Sequence, residues 1–290
     1  MPQFDSTAVP SPSNRNERHA RQTLPRRSGS RVRKEDDSGI LMRSLNVLRT
    51  IAHSPEAVGN RELAEATGLP KATVSRITSR LIAAGLVRQN RQSERFTLGP
   101  AVLELSRAFL ERLEMRSIFC EHMTEFVEQT GTTVHLGIRD RLDIVCIEAL
   151  QPKAATLVTR QRVGTRLSLA TSAMGRAYLC ALPEEERALA LTMLTEADGY
   201  GASDYAAGLL AARNSLDIHG FCTALGVRSP EINAIATYIR APDDELYTIS
   251  CSGPAYLLPP DTLHGTVADQ FRKAVAELCR ETGSTTAFRL

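Results

Sequence analysis

The chain has 290 residues, 42% of them hydrophobic and 23% charged, with a net charge of +2. That length suits two domains, and the near-average composition describes globular rather than fibrous or wholly disordered protein. The small net charge conceals 17 basic against 9 acidic residues over 1–100, and 18 against 24 over 101–290, so an anionic partner, nucleic acid first, is expected for the front end alone.

No run reaches the roughly 18 uncharged apolar residues of a membrane span, and the first forty residues lack the apolar core of a secretory leader. A cytoplasmic protein without membrane contact is expected. Residues 1–38 are rich in Ser, Pro and Arg without a hydrophobic period and read as a disordered basic tail, either touching DNA phosphates or simply solvated. Leu41, Leu45, Leu48 and Ile51 then recur at helical spacing, predicting a helix over 40–53 that Ser54-Pro55 ends. Asn60 is placed as the cap of a helix over 61–67 that Gly68 closes, and Pro70 as the first residue of a helix over 70–84 that Gly85 ends. Segments 86–89 and 95–98 alternate around the polar turn 90–94, which predicts a hairpin.

A helix over about 100–112 follows, and then a mixed pattern. It comprises a helix over 115–129, strands at 132–139, 143–149 and 155–161, and helices at 172–181, 183–195 and about 205–218. Strands near 221–225, 232–240 and 245–252 lead into one last helix over 261–281. The division expected is a tail (1–38), a winged helix-turn-helix domain (39–99), a linker helix (100–114) and an effector-binding and oligomerisation domain (115–285).

The strongest chemical signal is the run RELAEATGLPKATVSRITSR, residues 61–80. Two short helices around a Gly-containing turn match a helix-turn-helix, whose second helix enters the major groove with its N-terminal residues at the base edges. Those positions hold Lys71, Ala72, Thr73, Ser75 and Arg76, in which cationic, hydroxyl and methyl groups all have base-edge partners. Arg80, and Arg88, Arg91 and Arg95 on the hairpin, suit phosphate contacts that fix register without reading sequence. The competing reading is an ordinary helical hairpin with a solvated basic face. At the level of function, the alternative is a protein–protein interaction or dimerisation module with only weak, non-specific DNA binding.

Residues 40–112 resemble the winged helix-turn-helix of the isocitrate-lyase-regulator (IclR) family of bacterial transcription factors. The resemblance rests on Leu45-Asn46-Val47-Leu48, Glu62-Leu63-Ala64, the run Thr67 to Arg76, and Phe96-Thr97-Leu98-Gly99. It continues through Thr130 to Leu136, Val163 to Leu167, Ala173 to Ala177 and Ser250 to Pro254, and covers about 40–282. It implies an α+β protein, in which a linker helix joins the N-terminal domain to a GAF-like antiparallel sheet flanked by helices. It implies binding to double-stranded operator DNA as a homodimer or homotetramer, under control of a small-molecule effector, as repressor or activator.

Carried over by position, the effector site draws on Ala173 and Met174 at a helix start, on Ala234, and on the hydroxyls of Ser250 and Ser252. Family members often carry an acidic stretch where this chain has 223–228, and a Cys where it has Ala234. A more apolar wall follows, favouring a larger or aromatic acid over one as small as glyoxylate. Other readings stand beside these. Ser250 and Ser252 can serve only backbone groups near Gly253-Pro254, and His135 reads as a core or surface histidine. Arg160, Arg162 and Arg166 form a basic cluster that either attracts a carboxylate or is merely solvated.

The six cysteines, at 120, 146, 180, 222, 251 and 279, lack zinc or disulfide-framework spacing and read as reduced, mostly buried thiols. No GxSxG, HExxH, Walker or GxGxxG motif is present, and the six histidines are dispersed. No enzyme, cofactor or metal is expected.

Overall fold

The structure, a computed structural model, describes residues 39–153, 161–198, 202–227 and 230–288. The expected tail and the expected strand at 155–161 lie largely or wholly outside the described residues. The chain divides into two compact units, one ending at Pro100 and the other beginning at Ala101.

In the first unit, α1 (Ile40–His53), α2 (Asn60–Thr67) and α3 (Lys71–Ala83) precede a hairpin of β1 (Val87–Gln89) and β2 (Phe96–Leu98). Each helix buries one stripe: Val47 and Ile51, Leu63, and Val74, Ile77 and Leu81, which close one core with Val87 and Phe96. Fully burying such side chains stabilises the fold by about 1.5–3 kcal/mol each, so three short helices cohere through this seam rather than through propensity. Gly68 ends α2 in the left-handed region, at φ +69. Two expected caps differ by one position. Gly59 rather than Asn60 flanks α2, because the Glu62 carboxylate reaches back to accept the Gly59 N–H at 3.1 Å. Pro70 flanks α3 at an extended ψ of 140°, and its carbonyl accepts the amides of Thr73 and Val74.

The base of the hairpin depends on two glycines. Gly85 sits at φ +71, and a Cβ on Gly99 would lie 2.1 Å from the Gly85 carbonyl oxygen, so the two backbones meet where no side chain fits.

The second unit opens with α4 (Ala101–Leu110) and α5 (Glu114–Thr130). Its antiparallel sheet has the order β5-β4-β3-β8-β7-β6: β3 (Thr133–Asp140), β4 (Asp143–Leu150), β5 (Arg166–Ser168), β6 (Cys222–Leu225), β7 (Ile232–Arg240) and β8 (Leu246–Pro254). The helices α6 (Ala173–Ala181), α7 (Glu184–Asp198) and α8 (Ala202–His219) intervene between β5 and β6. The expected last helix is two: α9 (Pro260–His264) and α10 (Thr266–Thr282), broken at Gly265 (φ −92, ψ −113), before β9 (Thr285–Thr286) pairs with β7.

Alternation along the strands divides the core. Tyr247, Ile249 and Cys251 of β8, with Val134 and Leu136 of β3, pack beneath α5 and α10, where Phe119, Phe126 and Phe271 are buried. Leu246 and Ala236 face the opposite side, toward Met174, Ala177, Tyr205 and Leu216 of α6 and α8. Apolar helix layers cover both faces of the sheet, while β8 alternates Tyr247, Ile249 and Cys251 on one face with Thr248, Ser250 and Ser252 on the other.

Candidate DNA-binding face and effector site

On α3, the stripe that packs inward leaves Lys71, Ala72, Ser75, Arg76, Ser79 and Arg80 exposed, with Thr73 half-buried. Lys71 stands at the first turn, where Asn60 of α2 reaches its carbonyl at 3.5 Å and ties the starts of the two helices together. The outward row from 72 to 80 offers a methyl, hydroxyls and two guanidinium groups on a rigid helix, a combination suited to base edges and phosphates.

The three hairpin arginines have different surroundings. Arg88 is exposed and donates to the Thr97 hydroxyl across the strand pair at 3.1 Å. Arg91 is exposed on the tip, where the Asn90 side chain accepts the amides of Gln92 and Ser93 at 2.9 and 3.1 Å and shapes the turn. Arg95 is paired within the domain: its Nε donates to the Ala57 carbonyl at 2.7 Å, and its terminal nitrogen donates to both Glu62 carboxylate oxygens. The Gly59 amide and then Arg95 hold the Glu62 carboxyl below its usual range. Phe96 and Val58 exchange backbone hydrogen bonds, anchoring the hairpin a second time.

In the second unit the register aligns polar residues in rows across the sheet. Ser252 stands between Thr133 and Ala234, Ser250 between His135 and Ala236, and Thr248 between Gly137 and Tyr238. These rows lie on the α6 side, opposite Ile249 and Cys251. The strip is deeply buried: His135 and Thr248 are 0% exposed, Ser250 and Ser252 each 4%. His135 Nδ1 is 3.5 Å from the Ser250 hydroxyl, whereas Ser252 Oγ is buried without a hydrogen-bond partner.

Above the strip, α6 starts where the Ser172 hydroxyl accepts the Gly175 amide at 2.9 Å. The two preceding amides, of Ala173 and Met174, have no intrahelical carbonyl to serve, as at any helix start. Met174 reaches the sheet: a Cβ on Gly137 would fall 2.8 Å from its terminal methyl. Ala173, Met174, Ser250 and Ser252 are therefore buried in the layer between α6 and the sheet, with Ala234 half-buried at its edge. Sequence reading passed over His135, Thr133 and Thr248 as site residues. The signal was the alternate spacing of 133, 135 and 137 and of 248, 250 and 252, which becomes informative once the strand pairing is known.

Of the expected basic cluster, Arg162 is exposed. Arg160 lies outside the described residues, and Arg166 is held by Asp140 at 2.6 Å and Asp143 at 3.0 Å. Among the described residues, no group of three His, Cys, Asp or Glu side chains could hold a metal ion, and no helix is long and apolar enough to cross a membrane.

Comparison with known proteins follows the same division. The sequence model described as "Bacterial transcriptional regulator IclR C-terminal" matches residues 107–280, and the IclR helix-turn-helix domain matches residues 40–91. The chain is 27% identical over 243 residues to the HTH-type transcriptional regulator TsaQ1/TsaQ2 of Comamonas testosteroni, covering 83% of this chain and 87% of that one. Among solved structures, it resembles an IclR family transcriptional regulator from Brucella abortus, with a TM-score of 0.72 and 30% identity over 83% of this chain and 92% of that one. An IclR homolog from Microbacterium hydrocarbonoxydans complexed with 4-hydroxybenzoate shares the fold, with a TM-score of 0.65 and 19% identity over 83% and 97% of the two chains.

Proposed function

This chain belongs to the IclR family of bacterial, DNA-binding transcriptional regulators, and from that premise we propose that a small organic acid, carboxylic or aromatic, seated between α6 and the sheet controls its binding to operator DNA. The observation that carries the effector reading is Ser252, a hydroxyl buried to 4% exposure without a partner on a strip that also holds Ser250 and His135. A buried polar group in that condition is costly unless something completes it. Amides at the start of α6 suit a carboxylate, and hydroxyls suit its other oxygen or a phenol. Ala234, Ala236 and Met174 supply the apolar wall that favours a ring over a two-carbon acid. The relative from Microbacterium hydrocarbonoxydans, complexed with 4-hydroxybenzoate, supports that chemical class.

In the DNA-binding unit, Lys71, Ala72, Thr73, Ser75 and Arg76 read bases, while Arg80, Arg88 and Arg91 engage phosphates. Arg95 holds the wing in place. A second copy of the chain completes the regulator, as dimer or tetramer. The exposed Leu103, Leu105 and Phe109 on α4, a helix that buries none of its own residues, support such self-association.

The test is a thermal-shift series on the full chain with 4-hydroxybenzoate, benzoate and short oxoacids. A ligand at about 100 times its Kd stabilises the fold by about 2.7 kcal/mol, and the same ligand must then change operator affinity. Stabilisation by oxoacids alone would overturn the aromatic preference, and a flat response to the whole series would overturn the organic-acid reading.

A further inference from the structure

His135, Gly137 and Arg139 alternate along β3 and share the face of the sheet that α6 covers. Over Gly137 the space is filled: a Cβ there would fall 2.5 Å from Ile144 Cγ2 and 2.8 Å from the Met174 methyl, so the buried strip is closed on that side. Past this closure a cavity of about 280 Å³ lies around Arg139, bordered by Tyr178 in the later part of α6. Ile138, Leu182 and Leu246 give it an apolar wall. Its other polar groups are Glu186 of α7, and Arg240, Asp244 and Glu245 from the end of β7 and the turn after it.

Some of these groups are already engaged. Arg240 donates to Asp244 at 2.6 Å and to the Ala181 carbonyl at 2.8 Å, which ties β7 to the end of α6. One Glu245 oxygen accepts the Tyr247 hydroxyl at 2.9 Å. Arg139 lies over the Tyr178 ring, 5.6 Å from its centroid, and its Nε donates to the Arg141 carbonyl at 2.8 Å. Among the described residues, the terminal nitrogens of Arg139, the Tyr178 hydroxyl and the Glu186 carboxylate have no hydrogen-bonding partner in the protein. A lone anion drawn to Arg139 therefore meets Glu186 and Glu245, and a lone cation drawn to those carboxylates meets Arg139. A molecule carrying both charges satisfies both sides. Cavities for drug-sized ligands run to about 300–1,000 Å³, so this one suits something smaller.

We propose that this cavity binds a free apolar α-amino acid, at a site separate from the effector strip. Arg139 takes the carboxylate through its terminal N–H groups, as guanidinium does by preference, and the Tyr178 hydroxyl donates to the same group. The ammonium, with three donors, is shared by Glu186 and the second oxygen of Glu245. The side chain lies against Ile138, Leu182 and Leu246. Met174 and Tyr178 belong to one helix, so α6 roofs the strip with the first and borders the amino-acid site with the second. The site stands whether or not the strip holds an organic acid, since none of its groups belongs to the strip.

The experiment titrates the full chain with L-leucine by calorimetry, beside 4-methylpentanoate, which lacks the ammonium, and 3-methylbutylamine, which lacks the carboxylate. Leucine is expected to bind, and Arg139→Gln and Glu186→Gln each to weaken it by about tenfold or more, the worth of one hydrogen bond to a charged group. Arg280→Gln, which removes an exposed charge from α10, leaves leucine binding unchanged. Neither analogue shows an affinity that Arg139→Gln or Glu186→Gln alters. The comparison of leucine with its analogues on the unsubstituted chain holds even where a variant fails to fold. No binding of leucine, equal binding by Arg139→Gln and Glu186→Gln, an equal loss in Arg280→Gln, or an analogue that binds as tightly as leucine and is weakened by Arg139→Gln overturns the proposal.

Discussion

Glu62 and Arg95, 33 residues apart in sequence, meet in an ion pair in which one guanidinium nitrogen donates to both carboxylate oxygens, at 2.7 and 2.9 Å. The pair joins the first turn of α2 to the start of β2, so a contact within the domain ties the hairpin to α2. Both side chains are substantially exposed, so its value lies in orientation more than in stability.

Salt dependence separates this role from phosphate binding. Arg91→Ala, and Arg88→Ala with it, lowers the slope of log Kobs against log salt by about 1 per residue, because a phosphate without its arginine keeps its condensed counterion. Arg95→Ala weakens operator binding while leaving that slope unchanged, and Glu62→Gln does the same from the other partner. Fluorescence anisotropy across a salt series measures both. A slope change for Arg95→Ala equal to that for Arg91→Ala would place Arg95 on a phosphate.

Arg76 and Lys71 occupy the start of α3 with exposed cationic ends. Arg76→Ala costs about 1–3 kcal/mol against the preferred operator and flattens discrimination at one base pair, whereas Arg80→Ala weakens all sequences alike. Binding to an operator library with each position varied distinguishes the two patterns.

Ser250 and Ser252 predict opposite stability effects. Ser252→Ala removes a buried hydroxyl without a partner and raises the stability of the ligand-free chain by about 1 kcal/mol, while weakening effector binding. Ser250→Ala takes a partner from His135 and lowers stability by about the same amount. Urea unfolding of the two variants supplies the comparison, and destabilisation by both would show that Ser252 is already satisfied.

His264 gives the second unit an acid-sensitive point. Burial first, and then the neighbouring His219, hold its imidazole below the ordinary value of 6.5, with Asp261 pulling the other way. The folded state therefore binds fewer protons than the unfolded one between the two pKa values. The stabilisation is complete above 6.5 and is lost as pH falls through that value toward the lower, folded one. His264→Phe, which keeps a ring beside Phe221, flattens the fall in Tm between about pH 7 and pH 5.5. An unchanged acid slope would move the effect to another group.

Much of the fold was legible because its punctuation is local. Gly68, Gly85 and Gly131 end their helices in the left-handed conformation that their positions suggest. What the sequence concealed was non-local. The apolar period of 261–281 runs unbroken through Gly265, where the chain nonetheless bends to bury Leu263 on one side and Val267 on the other. The strand Arg166–Ser168 is three residues long, too short for alternation to register, and exists because β4 offers an edge. Likewise Arg95 looked like its neighbours on the hairpin, since nothing nearby in sequence announces that Glu62 waits across the domain.

The glycine pair at the base of the hairpin has an evolutionary consequence. Gly85 and Gly99 approach so closely that a side chain on Gly99 would strike backbone, not a yielding side-chain tip. Neither position offers a lineage a gradual series of tolerated exchanges. The exposed residues of α3 and of the hairpin tip meet no such barrier, and on the proposed reading their exchange retunes the operator one substitution at a time. The hinge of the wing is inherited whole.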